Sequence, residues 1–201
     1  MNLSEKQKEI VEATENKIVV IASAAAGKTA TLTARVEHLI NTGVNPKEIV
    51  AITFTNLAAQ ELRDRVGEKA KECFIGTIHS YCNYLLCSSG IETKDILKEE
   101  QFDKLFLKVK KHPECIKHVA HLLLDEAQDS NTIQFEFLLE MIHPDNYMLV
   151  GDARQSIYRF ANAEPDILLG IAAREDVKTY DLNENYRNCE NILDYAKSII
   201  R

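Results

Sequence analysis

Glycine and proline are scarce: seven Gly and four Pro in 201 residues exclude a collagen-like repeat or a linker-like composition. Long hydrophobic runs are missing too. The purely apolar stretches are strand-sized, Ile18 to Ala22 being typical, where a membrane span needs about 18 or more residues. No charged-then-apolar leader opens the chain, so a soluble cytoplasmic protein is expected. Paired cysteines are also lacking. The five (Cys73, Cys82, Cys87, Cys115, Cys189) are odd in number and show no CxxC spacing, which argues against a zinc site or a disulfide scaffold and for reduced thiols. Positive charge is in deficit: 24 Lys plus Arg face 31 Asp plus Glu, a net charge of -7. Broad electrostatic attraction to nucleic acid is therefore not expected, and any such binding must be local. What is present is globular, with 45% hydrophobic and 27% charged residues, enough for one good-sized core with at most a small appendage.

Short apolar runs alternate with longer amphipathic ones. Ile18–Ala22, Ile49–Phe54, Leu122–Leu124 and Tyr147–Val150 read as strands buried on both faces. Leu32, Val36, Leu39 and Ile40 share one helical face after the first strand, and Asn41-Thr42-Gly43 supplies a stop. After the second strand Asn56 is a plausible N-cap, followed by the stripe Ala59, Leu62, Val66 and Ala70. Strands alternating with helices imply a parallel sheet covered on both faces. Residues 88–118 break the rhythm: Ile96, Phe102, Leu105, Phe106 and Val109 fall at helical spacings among many Lys and Glu, as in a small helical insertion. Its lysines (Lys104, Lys108, Lys110, Lys111, Lys117) suit either a nucleic-acid patch or, the better-supported reading, a solvated helix face. The chain stops inside an amphipathic pattern begun near Asn191, which suggests a fragment.

Two segments carry chemistry. Ala22-Ser23-Ala24-Ala25-Ala26-Gly27-Lys28-Thr29 joins the first strand to a helix. Small residues there let backbone N–H groups surround phosphate oxygens, with Lys28 reaching the β- and γ-phosphates and Thr29 ligating Mg²⁺. The GxxxxGK[ST] pattern is incomplete, because Ala22 takes the first Gly position, and alone the stretch could be a helix start rich in small residues. Leu122-Leu123-Leu124-Asp125-Glu126-Ala127-Gln128-Asp129 ends a buried strand in carboxylates. Asp125 can hold Mg²⁺ and Glu126 can orient or deprotonate an attacking water, although carboxylates there could also merely cap a helix near Thr132 to Met141. Together the two segments point to a P-loop NTPase. A P-loop kinase or GTPase would not account for both the DEAQD and the GDARQSIY elements.

Further motifs complete a pattern. Leu3-Ser4-Glu5-Lys6-Gln7 looks like a Q motif, Ile52–Ala59 like motif Ia, and Gly76-Thr77-Ile78-His79-Ser80 like the GTxHS element. Val150–Phe160 looks like motif III and Leu182–Arg187 like motif IV. In this order they resemble the UvrD/Rep/PcrA-type superfamily 1 DNA helicases over almost the whole chain except 88–118. The resemblance implies an α/β, three-layer RecA-like fold with a central, mostly parallel sheet. Residues 1–87 and 119–201 would form the RecA-like domain and 88–118 a shortened insertion. It implies ATP and Mg²⁺ as cofactors and single-stranded DNA as partner, with 3′ to 5′ translocation. The residues Gln7, Ala24, Ala25, Ala26, Gly27, Lys28, Thr29, Tyr186 and Arg187 would bind nucleotide, Thr29 and Asp125 the metal. Lys28, Asp125, Glu126, Gln155 and Arg187 would carry catalysis. Phe54, Thr55, Asn56, His79, Tyr158 and Phe160 would face DNA, where stacking is worth about 1–3 kcal/mol per base and is indifferent to sequence. Core packing is the competing reading for each aromatic.

Several positions depart from the family. Ala25 and Ala26 replace the usual Gly and Ser, so a stiffer or differently shaped loop is expected. Ala30, Leu57 and Ala161 each replace a cation, which predicts weaker contact with phosphate or DNA. In the family, hydrolysis occurs between two RecA-like domains, and the second supplies an arginine finger worth on the order of 10³-fold or more in rate. No motif V or VI follows Arg201, so the chain alone is expected to hydrolyse ATP poorly. The alternative is a nucleotide- or DNA-binding module without turnover.

Overall fold

The computed structural model describes residues 3–23, 25–98, 102–152 and 165–184. The elements run α1 (Glu5–Glu12), β1 (Lys17–Ala22), α2 (Lys28–Asn41), β2 (Ile49–Ile52), α3 (Asn56–Val66), β3 (Phe74–Gly76), α4 (Ile78–Ser88), α5 (Lys94–Lys98), α6 (Asp103–Lys111), β4 (His121–Leu124), α7 (Thr132–Phe135), β5 (Asn146–Gly151), α8 (Pro165–Ala172) and β6 (Lys178–Leu182). The six strands form one sheet in the order β3-β2-β4-β5-β1-β6. Every pairing is parallel.

Alternation along each strand divides the core in two. Val19, Val50, Ile52, Leu122, Leu124 and Leu149 enter the layer beneath α4, α6 and α8. Their neighbours Ile18, Val20, Ile49, Ala51, Leu123, Met148 and Val150 enter the layer beneath α1, α2 and α3. Strands apolar on both sides require helices on both faces, and the result is the three-layer α/β sandwich read from the sequence. The stripe Leu32, Val36 and Leu39 is buried on α2, as are Ala59, Leu62 and Val66 on α3, with Ala70 in the 3₁₀ turn Gly67–Glu72 that follows it. Helix α2 ends where Gly43 adopts a φ of 94°. Gly43 N–H donates to the Ile40 carbonyl at 3.1 Å and Val44 N–H to Leu39 at 3.0 Å, a Schellman closure.

Two details differ from the sequence reading. The N-cap of α3 is Thr55, whose hydroxyl accepts from Ala58 N–H, and Asn56 is the first helical residue. Thr wins because its extended backbone puts a short hydroxyl on the third amide of the helix. The segment from Thr132 is α-helical only to Phe135 and continues as a π-helical stretch, Glu136–Met141. Within 88–118, Leu105, Phe106, Val109 and Cys115 belong to the same buried cluster as the sheet residues Val50 and Leu122.

Candidate nucleotide site and the adjoining cavity

In a parallel sheet the C-terminal strand ends share one edge, and ligands bind where successive connections leave for opposite faces. Here the loop after β1 leads to α2 on one face, whereas α8, which follows β5, lies on the other. The β1 loop is pinned at its start by Ser23, whose N–H donates to the Leu182 carbonyl at 2.8 Å. The Ser23 hydroxyl also meets Asn183 Oδ1 at 3.1 Å. Ala25 lies in the left-handed region at φ 59°. An alanine therefore makes the turn that glycine makes freely, at a cost of about 1–2 kcal/mol. Gly27, at φ 79°, is the N-cap of α2 and offers no side-chain cap, so the first amides of the helix remain open to an anion. A Cβ on Gly27 would sit 2.5 Å from Gln7 Nε2. Glycine is thus favoured by the backbone angle, and a larger residue would also have to displace the Gln7 amide from the Ala26 carbonyl.

Gln7 is held on this loop. Its Nε2 donates to the Ala26 carbonyl at 3.3 Å, and its Oε1 accepts from Ser4 N–H at 2.9 Å in a reciprocal capping box on α1. At the other end of α1, buried Arg35 donates to the carbonyls of Val11 and Ala13 at 2.7 Å each, fastening α1 to α2. Burial pulls the guanidinium pKa down, with Glu15 opposing.

The carboxylates arrive from β4. Asp125, only 4% exposed, continues the strand through its N–H to the Ile52 carbonyl. Glu126 then adopts φ 50°, a left-handed conformation that is strained in a glutamate and turns its side chain toward the β1 loop. The two motifs meet there: Lys28 Nζ lies 2.8 Å from Glu126 Oε2. Beside them the Thr29 hydroxyl donates to Asp125 Oδ2 at 3.5 Å. A hydroxyl facing a buried carboxylate is a hard-oxygen donor set of the kind that Mg²⁺ accepts. Burial first, and then the Glu126 charge, raises the Asp125 pKa to about 6 against the opposing pull of Lys28 and Thr29. Asp129 is likewise raised to about 6, by burial and then by Glu126.

A cavity of about 290 Å³ opens on the far side of Asp125 and Asp129, walled by Thr53, Phe54, Thr77 and His79. Phe54, one of its lining residues, is 40% exposed, and Leu57, in the first turn of α3, is 80% exposed. Among the described residues, two buried side-chain atoms lack a hydrogen-bond partner, His79 Nε2 and Asp129 Oδ1, and both residues line this cavity; His79 Nε2 nevertheless has the Asp103 carboxylate 3.6 Å away. Orphaned buried polar atoms are uncommon in folded proteins, and Asp129 Oδ1 thus marks a place for a missing partner. The His79 ring packs against Phe106 and Phe102, with centroids 5.3 and 5.6 Å away. Burial lowers its pKa. A larger hollow of about 430 Å³ at the opposite ends of β1 and β5, beside Lys17 and Tyr147, contains none of the motif residues.

The structure therefore gathers Gln7, Ala25, Ala26, Gly27, Lys28, Thr29, Asp125 and Glu126 around one loop, with Phe54 and His79 at the neighbouring cavity. Thr55 is occupied as a helix cap, and Asn56 is exposed on the first turn of α3. Ala24, Gln155, Tyr158, Phe160, Tyr186 and Arg187 lie outside the described residues. Sequence reasoning assigned no role to Gln128 or Asp129, although both stand in the quoted strand-end motif. Only the turn at Glu126 brings them beside it.

Similarity to known proteins follows the same lines. The family model described as the UvrD/REP helicase N-terminal domain matches residues 3–112 and 101–176. The ATP-dependent DNA helicase PcrA of Staphylococcus epidermidis is 26% identical over 291 positions, covering 100% of this chain and 40% of the relative. A putative ATP-dependent DNA helicase of Acanthamoeba polyphaga mimivirus is 30% identical over 210 positions, covering 94% of this chain and 29% of the relative. The PcrA alignment needs far more positions than the 201 residues here, so that relative carries many residues with no counterpart, whereas the viral relative carries few. The Pif1 helicase of Candida albicans shares the fold with a TM-score of 0.63 at 17% identity, over 99% of this chain and 44% of that one. The chain thus spans about 40% of the length of the PcrA relative. Its motif order, parallel sheet and family match agree, and the chain belongs to the UvrD/REP helicase N-terminal domain family.

Proposed function

We propose that the chain is the ATP-binding motor domain of an ATP-dependent DNA helicase or translocase that acts in the cytoplasm on single-stranded DNA and moves 3′ to 5′. The observation that carries this reading is the meeting of Lys28 with Glu126 at 2.8 Å beside Thr29 and Asp125. Lys28 would leave Glu126 for the β- and γ-phosphates, which a point charge on a flexible stem does readily. Thr29 and Asp125 would hold Mg²⁺, which when bound neutralises charge on the phosphate oxygens. Glu126, freed of its cation, would orient or deprotonate the attacking water. Gln7 would read the adenine edge by exchanging its contacts to Ser4 N–H and the Ala26 carbonyl. Tyr186 would stack on the base, while Gln155 and Arg187 would meet the γ-phosphate. Phe54 and His79, with Thr55, Asn56, Tyr158 and Phe160, would line the path of the single strand. In this layout residues 1–87 and 119–201 form the RecA-like body and 88–118 a reduced insertion packed on it. The arginine finger would come from a second RecA-like domain, which these 201 residues do not contain.

The test is steady-state ATP hydrolysis by the 201-residue chain, with and without single-stranded DNA, beside nucleotide-binding titrations. Weak Mg-ATP binding with slow turnover is the expected result, and Lys28→Ala should abolish the binding. Fast, DNA-stimulated turnover by the chain alone would refute the shared-site reading. Binding that never leads to turnover, even with a second RecA-like domain supplied, would favour a non-catalytic module.

A further inference from the structure

Gln128 is 2% exposed and sits between the two halves of the site. Its Nε2 donates to Glu126 Oε2 at 2.8 Å and, more weakly, to Asp129 Oδ2 at 3.4 Å. Its Oε1 accepts from the backbone N–H of Asp152 at 2.9 Å. The amide can face only one way, because a flip would set its oxygen against two carboxylates and its N–H₂ against another N–H. No other side chain of this length does the same work. Glutamate would place a third carboxylate against Glu126, lysine could not accept from Asp152, and leucine would strand both partners. Space is equally fixed: a Cβ on Gly151 would lie 2.7 Å from Gln128 Oε1 and 2.7 Å from Leu168 Cδ2.

We propose that Gln128 is a positioning residue that joins the nucleotide site to the cavity beside Phe54 and His79, holding Glu126 and Asp129 in one hydrogen-bonded unit anchored on the backbone of Asp152. The inference rests on the functional reading above, in which nucleotide meets Lys28 and single-stranded DNA meets the cavity. Lys28 and Gln128 share the same oxygen of Glu126. When phosphates draw Lys28 away, Gln128 becomes the donor that keeps Glu126 in place, and its amide shifts toward Glu126. The longer bond to Asp129 weakens. Asp129, whose Oδ1 already faces no protein donor, is then left with both oxygens open to N–H groups of a nucleobase in the cavity. Nucleotide should therefore tighten the grip on the strand, and by reciprocity the strand should tighten the grip on nucleotide.

A binding cycle tests this without requiring turnover. The affinity of the 201-residue chain for a fluorescent mixed-sequence single-stranded oligonucleotide is measured with and without Mg²⁺ plus a non-hydrolysable ATP analogue. The native chain should bind the strand about fivefold or more tightly with nucleotide present, the lower end of usual coupling. In Gln128→Leu and in the isosteric Gln128→Glu that ratio should fall to about one, while the chain still binds each ligand. Gly151→Ala, which crowds the amide from the other side, should reduce the ratio too and serves if a Gln128 variant fails to fold. A ratio of one in the native chain, or an undiminished ratio in the folded variants, overturns the inference and leaves the functional reading standing. A native chain that binds neither ligand overturns both.

Discussion

Asp125 and Asp129 retain their protons up to about pH 6, because burial penalises the charged forms and Glu126 adds a like charge nearby. The folded protein thus binds these protons more tightly than the unfolded chain. Their contribution to stability is greatest below the ordinary carboxylate range and is lost as pH rises through about 6. A metal requires the opposite state, since it must displace the proton from Asp125. Mg-ATP affinity should accordingly be level above about pH 7 and fall below about pH 6, by up to about tenfold per unit of pH. Titrations with ATP at pH 7.5 and 5.5, each with and without Mg²⁺, check this, and a metal-dependent affinity indifferent to pH would remove Asp125 from the ligand set. At this scale much of the site was legible. Lys28, Thr29, Asp125 and Glu126 are recognisable because phosphate and metal chemistry demand those groups after strands. Gln128 was not, since an amide two residues past a carboxylate has no chemistry of its own until Glu126 adopts its left-handed turn.

Among the elements, α6 shows the difference between spacing and packing. Leu105, Phe106 and Val109 fall on one helical face in the sequence, but spacing alone does not say what that face covers. In the structure it closes the core over α4, and Leu105 is wholly buried. Leu105→Ala should therefore destabilise the whole fold by about 2–5 kcal/mol. Urea unfolding should show this as a shifted midpoint with one cooperative transition; a loss under about 1 kcal/mol, or a separate early transition, would mean that 88–118 is a detachable appendage. Strands β1, β2, β4 and β5 announced themselves as apolar runs because each is buried on both sides. β3 and β6 did not. β3 has three residues, and β6 is an edge strand in which Tyr180 and Leu182 are buried while the residues between and before them face outward. Helix α1, likewise, was read only as a motif, although Ser4 and Gln7 already spell a capping box.

For the molecule as a whole, a net charge of -7 leaves little long-range pull on DNA. Leu57, 80% exposed where the resembling family carries lysine, removes one local cation from the first turn of α3. Leu57→Lys should strengthen binding to single-stranded DNA and steepen the dependence of log K on log salt by about 0.7, the increment for one phosphate contact on a single strand. Titrations between low and moderate salt read both, and an unchanged slope would place Leu57 away from the strand. The net charge, the doubly apolar strands and the small-residue loop before Lys28 were set by the sequence alone. They follow from residue chemistry and from periods of two and 3.6, which need no knowledge of distant neighbours. Strand order, the turn that aims Glu126 at Lys28, and the cavity shared by β2, β3 and β4 were decided only by the tertiary structure. Each depends on contacts between residues far apart in the chain. Lys28 and Glu126 are separated by 98 positions, and no local pattern records that distance.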